Sequence, residues 1–200
     1  MTSMRCEDSL ASLLADIRQC RICADAFAHE PRPVLRAEST ARVMICGQAP
    51  GTRVHATGIP FNDPSGMRLR QWLDMDSETF YDSSRVAIVP MGFCFPGQDS
   101  KGGDLPPRRE CAPTWHEKVR AHLPNLQLTV LVGRYSQAFY LGAAAGPLSE
   151  TVREWERFMP TFFPLPHPSW RNNAWLKRNP WFEAEVLPEL RRAVHSVLEG

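Results

Sequence analysis

Four groups of residues in this chain have types and spacings suited to chemistry. The first is Gly47-Gln48-Ala49-Pro50-Gly51, which ends the apolar run Val43-Met44-Ile45-Cys46. A buried strand that stops in such a turn delivers backbone N–H groups and one polar side chain to the carboxyl edge of a parallel sheet. Ligands bind at that edge in open α/β folds. The second is His167, held between Pro166 and Pro168, which stiffen the backbone on both sides. A rigidly presented imidazole suits a donor aimed at a developing anion. The third is Asp63, about a dozen residues beyond Gly51, a carboxylate placed to orient or activate a water. Pro64 follows it, so Asp63 also suits a helix N-cap with proline at the first helical position.

The fourth group is thiols. Cys20 and Cys23 form a C-x2-C pair, and Cys94 and Cys111 are separated by 16 residues in a Pro/Gly-rich stretch. Two ligands from one turn and two from a distant loop can close a four-cysteine site for an iron–sulfur cluster or for zinc. Unrelated core thiols are the alternative. A thioredoxin-like redox pair does not fit, because Cys20 and Cys23 end a helical pattern instead of following a strand. Cys46 in a buried strand and Cys6 near the terminus read as structural or incidental. Residues 165–181 interleave aromatics with positive charge: Trp170, Arg171, Trp175, Lys177, Arg178 and Trp181. That mixture suits a groove wall contacting phosphates and stacked bases, while Trp175 and Trp181 also suit the core of the closing helices.

The elements that must position these groups follow from periodicity. Residues 8–20 read as an amphipathic helix carrying Leu10, Leu13, Leu14 and Ile17, capped by Asp8 or Ser9. Strands are expected at 42–46, 86–90, 126–132 and 161–164. A polar loop with His55, Thr57 and Gly58 follows Gly51. A helix after Asp63 turns Leu69, Trp72 and Leu73 inward. Pro113 opens another helix, and further helices are expected at 134–142 and 149–158. The last runs from about Pro180 to Leu198, with Phe182, Val186, Leu190, Val194 and Val197 on one face. Strands alternating with helices imply parallel pairing, hence a three-layer α/β/α sandwich around a mainly parallel four-stranded sheet. On that reading the loops 47–66, 90–111 and 165–178 leave the same edge. No repeat or domain boundary stands out, so residues 1–200 read as one domain.

Composition sets few limits. The chain has 200 residues, 43% of them hydrophobic, enough for a substantial core. A net charge of +1 gives no global preference for polyanions, so a nucleic-acid face must come from local clustering. No apolar run is long enough to cross a membrane, and no signal-peptide core stands at the start. A cytoplasmic protein with reduced thiols is the expectation.

Taken together, these residues resemble the uracil-DNA glycosylase superfamily, most nearly its iron–sulfur branch (families four and five). Gly47-Gln48-Ala49-Pro50-Gly51 is similar to that branch's first motif, with Gln48 where the branch has glutamate, as in family one. Gly58-Ile59-Pro60-Phe61 resembles the segment whose Phe stacks on the flipped base. His167-Pro168-Ser169 resembles the second motif, whose histidine stabilises the leaving uracil anion. Asp63-Pro64-Ser65-Gly66 is similar to a family-five segment with a catalytic aspartate, and the four cysteines match the cluster ligands in order. The resemblance implies a monofunctional glycosylase acting on uracil in DNA, in base-excision repair. Asp63, His167 and Gln48 would be its catalytic residues; Gly47, Ala49, Pro50, Gly51, Phe61 and Ser169 would hold the substrate. Trp170, Arg171, Lys177 and Arg178 would contact the DNA. Cys20, Cys23, Cys94 and Cys111 would bind a 4Fe–4S cluster, zinc being the alternative. A DNA carrying a damaged base is the implied partner, with the enzyme monomeric.

Two departures matter. Pro90 stands where the family has an asparagine that reads the uracil edge. Ala49 replaces the family-one aspartate that activates water. They leave open a glycosylase for another deaminated base, such as hypoxanthine or xanthine, and a non-catalytic DNA-binding relative.

Overall fold

The structure, a computed structural model, describes residues 9–200. Cys6 and Asp8 lie outside the described residues. Helix α1 (Leu10–Arg18) is capped by Ser9, whose hydroxyl accepts the Ser12 N–H at 3.2 Å, and it buries Leu14 and Ile17. Strand β1 (Val43–Cys46) follows, then α2 (Thr52–Thr57), α3 (Pro64–Leu73), α4 (Ser77–Tyr81), β2 (Val86–Ile88) and α5 (Cys111–Ala121). The chain continues through β3 (Leu128–Val132), α6 (Arg134–Leu141), α7 (Leu148–Arg153), β4 (Phe162–Leu165), α8 (Asn173–Arg178) and α9 (Leu187–Glu199).

The strands form one all-parallel sheet in the order β2-β1-β3-β4. Val43 pairs with Val86 on one side and Leu128 on the other, and Val130 pairs with Phe163. Parallel strands need long crossovers, which is why helices separate them in sequence. Alternation along β1 splits the core in two. Val43 and Ile45 pack with Leu69, Trp72 and Leu73 of α3 and with Leu190 and Val194 of α9. Met44 packs on the opposite face with Leu14 and Ile17 of α1 and Val119 of α5. Helices on both faces make the expected α/β/α sandwich.

Several boundaries differ from the sequence reading, each for a local reason. The polar loop after Gly51 is the short helix α2, ended by Gly58 in the left-handed region with φ 72°. Only Val54 is buried in it, too few apolar positions to show a period. Helix α5 starts at Cys111, so Pro113 sits inside its first turn, where no N–H is required. The helix expected at 149–158 breaks at Glu154 into α7 and a 3-10 turn, Trp155–Phe158. The closing helix opens as a wide π turn, Phe182–Val186, before α9. Pro188 has no N–H for the carbonyl four residues back, which loosens that turn.

A buried histidine fixes the end of β2. His116, fully buried on α5, donates from Nε2 to the Pro90 carbonyl at 2.9 Å, and its Nδ1 accepts the Tyr140 hydroxyl at 2.7 Å. Burial pushes its pKa down from 6.5 to about 4, against the raising effect of the Pro90 bond. The unfolded chain therefore takes up a proton near pH 6.5 that the folded chain refuses until about pH 4. Stability carried by this group is full above that window and is lost as pH falls through it, by on the order of 3 kcal/mol. Urea unfolding at about pH 7.5 and about pH 4.5 should show a smaller loss for His116→Gln than for wild type; equal losses contradict this account.

Candidate active site

The carboxyl ends of β1, β2 and β4 open into a cavity of about 360 Å³, within the range of small-molecule sites. Gly47, Gln48, Ala49, Pro50 and Gly51 line it from the loop after β1, and Phe61 and Asp63 from the segment leading into α3. His167, Ser169 and Arg171 line it from the loop after β4. All residues expected to catalyse or to hold substrate thus surround one space.

Phe61 is seated under constraint. Its backbone is in the left-handed region with φ 53°, which an aromatic residue rarely adopts. The Tyr81 hydroxyl donates to its carbonyl at 3.3 Å, and Arg70 in turn donates to the Tyr81 oxygen at 3.2 Å. Two glycines make room for it. A Cβ on Gly47 would stand 2.8 Å from the Phe61 ring, and one on Gly66 would stand 1.7 Å from the Phe61 carbonyl oxygen. Strain held this firmly belongs with a functional surface.

His167 and Asp63 both line the cavity. The Ser169 N–H donates to His167 Nδ1 at 3.2 Å, so the neutral ring carries its proton on Nε2. The Asn172 amide donates to the His167 carbonyl at 2.7 Å and fixes the loop. Burial pushes the His167 pKa below its ordinary value, while the charges of Asp63 and then Asp104 oppose that shift. A neutral N–H donor results at physiological pH. Asp63 is both cap and cavity residue: its Oδ1 accepts the Gly66 N–H at 2.8 Å at the start of α3. Gln48 donates from Nε2 to the Leu105 carbonyl at 3.3 Å, which leaves its Oε1 as an acceptor for a ligand.

Sequence reasoning missed several lining residues, among them the polar Asp99, Asp104 and Asn172. Asp99 and Asp104 sit in a stretch that reads only as a Gly- and Asp-rich loop. Its Gly102-Gly103-Asp104 turn was the available signal.

The expected DNA-contacting residues divide. Trp170 is 68% exposed at the start of a short 3-10 turn, with the Arg171 guanidinium 5.2 Å from its ring centre. Lys177 and Arg178 are exposed on α8 and do not line the cavity. Trp175 and Trp181 are not groove-wall residues. They pack against the core, 5.7 Å apart in an edge-to-face pair, and Trp175 donates to the Ser149 hydroxyl at 2.8 Å.

Cys20, Cys23, Cys94 and Cys111 line a second, small cavity with Phe27, Pro31, Pro33, Phe93 and Arg108. The Phe93 N–H points at Cys111 Sγ at 3.4 Å. Burial, reinforced by the other thiols, pushes Cys94 up to about 11 and Cys111 up to about 12. Burial also raises Cys23, with Glu110 and Cys20 adding to it. Among the described residues, no group of three His, Cys, Asp or Glu is set to hold a single metal ion. Cys46 is buried in β1, outside this cavity. No helix among the described residues is long and apolar enough to cross a membrane.

Residues 35–191 match the family model of the Uracil DNA glycosylase superfamily. The chain belongs to that superfamily. The matched span holds the whole cavity except Val34, and it includes Cys94 and Cys111 but not Cys20 or Cys23. The chain is also similar to the solution NMR structure of a provisionally named uracil DNA glycosylase from Methanosarcina acetivorans. Identity is 16% over 80% of this chain and 98% of that one, with a TM-score of 0.45. The family assignment rests on the sequence match alone. The Phe61 seat depends on the absence of a side chain at Gly66. Gly66→Ala should therefore destabilise the protein by about 1–3 kcal/mol, read by urea unfolding, and unchanged stability would show that the 1.7 Å approach is relieved at no cost.

Proposed function

We propose that the protein is a monofunctional DNA glycosylase that hydrolyses the N-glycosidic bond of uracil in DNA. One observation carries this reading: Phe61, Gln48, His167 and Asp63 line the same cavity, each from an element that fixes it. A base enters only after leaving the helix, at a cost of a few kcal/mol that is least for mispaired or single-stranded bases. Trp170 and Arg171 at the rim suit the gap and the phosphates left behind.

In the cavity Phe61 stacks the base, and Gln48 with nearby backbone amides hydrogen-bonds its edge. The C1′–N bond breaks through an oxocarbenium-like state, with the electron pair leaving on the base. His167 Nε2–H donates to that developing anion, a contribution of about 2.7–4 kcal/mol for one such donor. Asp63 orients the water that adds to C1′. His167 and Asp63 both reaching the cavity favours turnover over a non-catalytic relative.

The four cysteines support assigning the chain to the iron–sulfur branch. Their chemistry fits: four sulfur donors from two distant segments surround one space, with an N–H donor on one sulfur. A bound 4Fe–4S cluster would supply structural cross-linking, tying the end of α1 to the loop after β2 and the start of α5. Zinc would serve the same purpose. Hydrolysis itself requires no electron transfer.

One observation favours a second substrate. Pro90 lines the cavity where an asparagine would read uracil, and His116 occupies its carbonyl. Hypoxanthine or xanthine is therefore the alternative base.

Oligonucleotides carrying one uracil, hypoxanthine or xanthine, incubated with the protein and then treated with alkali, should be cleaved at uracil in single-stranded or U·G contexts. Cleavage at hypoxanthine or xanthine alone would move the assignment to the second reading, and no cleavage at any base would end it. His167→Ala should slow release about 100- to 1000-fold with DNA affinity nearly unchanged. Anaerobically purified protein should be brown and contain iron and sulfide, lost in Cys23→Ser and kept in Cys46→Ala. A colourless protein with one zinc per chain would replace the cluster by zinc.

A further inference from the structure

The stretch 97–105, unremarkable in sequence, folds over the cavity as a small closed loop. Leu105 N–H donates to the Gly97 carbonyl at 2.9 Å, and Asp99 N–H to the Gly103 carbonyl at 2.8 Å. Asp99 Oδ1 accepts the N–H groups of Lys101 and Gly103, both at 2.8 Å. Two bonds moor this loop to the other walls. Gln48 reaches the Leu105 carbonyl at 3.3 Å, and Arg171 reaches the Gly102 carbonyl at 2.9 Å. The loop after β1, the loop after β4 and the 97–105 loop thus meet at Gly102–Leu105.

Asp104 stands at that meeting point and lines the cavity. Gln98 donates to its Oδ1 at 3.2 Å. Its Oδ2 lies against the first loop: a Cβ on Gly51 would be 3.3 Å away. Residues 47–51 carry no carboxylate of their own. Asp104 brings a carboxylate to the same loop from outside it. Its charge is also felt at His167, on the other wall, where it opposes the effect of burial.

We propose that Asp104 is a second catalytic carboxylate, facing the deoxyribose from the Gly51 side of the cavity, while Asp63 faces it from the α3 side. The inference rests on the glycosylase reading of the cavity. As the C1′–N bond breaks, its electron pair goes to the base and positive charge grows at C1′ and the ring oxygen. Asp104 stabilises that charge electrostatically. Water then forms the new C1′–O bond, and the proton it loses is taken by a carboxylate and returned to the departing base or to solvent. Asp63 has one oxygen committed to capping α3, whereas Asp104 is held by a single side-chain donor. The two therefore divide the work: Asp63 as a fixed support for water, Asp104 as the charge opposite the sugar.

The test compares wild type with Asp104→Asn, an isosteric change on an exposed loop, with thermal unfolding confirming the fold. Two abasic oligonucleotides serve as probes, one with a cationic pyrrolidine in place of the sugar and one with a neutral tetrahydrofuran. Wild type should prefer the cationic probe, and Asp104→Asn should lose about tenfold or more of that preference. Single-turnover release of whichever base the protein removes should also fall about 100-fold, with affinity for the neutral probe unchanged. A probe preference within about twofold of wild type, or a release rate within about threefold, overturns the role of Asp104. If wild type releases no base at all, the glycosylase reading fails, and the probe preference still decides whether Asp104 faces the sugar.

Discussion

Parallel pairing turns the carboxyl end of each strand to the same side of the sheet, and the rest of the molecule depends on that constraint. Once β1, β2 and β4 end together, the turn at Gly47, the cavity wall at Pro90 and the loop at His167 are neighbours despite their distance in sequence. Helices on both faces then hold the sheet from either side and leave that edge open. The loops are not left to float. Gln48 binds the Leu105 carbonyl, Asn172 binds the His167 carbonyl, and His116 binds the Pro90 carbonyl. Each cavity wall is therefore positioned by a hydrogen bond to its own backbone.

Electrostatic balance inside the cavity follows from the same placement. Burial favours neutral His167, and Asp63 and Asp104 draw it the other way. The Ser169 N–H settles the tautomer, because it can only donate to Nδ1. A neutral donor beside two carboxylates suits a reaction that builds negative charge on a base and positive charge on a sugar. In the proposed reaction a histidinium would bind the departing anion more strongly but would also offset the charge of Asp63 and Asp104.

Much of this was legible in the residues. Val43–Cys46 reads as a buried strand because each of its side chains is apolar, and both faces of the sheet are covered. Asp63-Pro64 announces a helix start, and Ser9 a cap, through local chemistry that tertiary packing did not override. The convergence of Gly47–Gly51, Phe61, Asp63 and His167 was inferred from strand order and a family resemblance, and the structure places them around one space. What was not legible depended on long-range geometry. Helix α2 has one buried residue and no period to detect. Asp104 owes its place to moorings 57 and 69 residues away in sequence, which no local pattern encodes. Trp175 and Trp181 share the composition of a DNA-facing wall with Trp170, and only packing separates them.

The central claim is that one base, turned out of DNA, occupies the cavity between Phe61 and His167. The most direct measurement is a crystal structure of the slow His167→Ala variant with an oligonucleotide carrying uracil in a U·G pair. The account predicts an extrahelical base stacked on Phe61, its edge toward Gln48, with C1′ between Asp63 and Asp104. A base still paired in the duplex, or DNA bound on another face with the cavity empty, would contradict it.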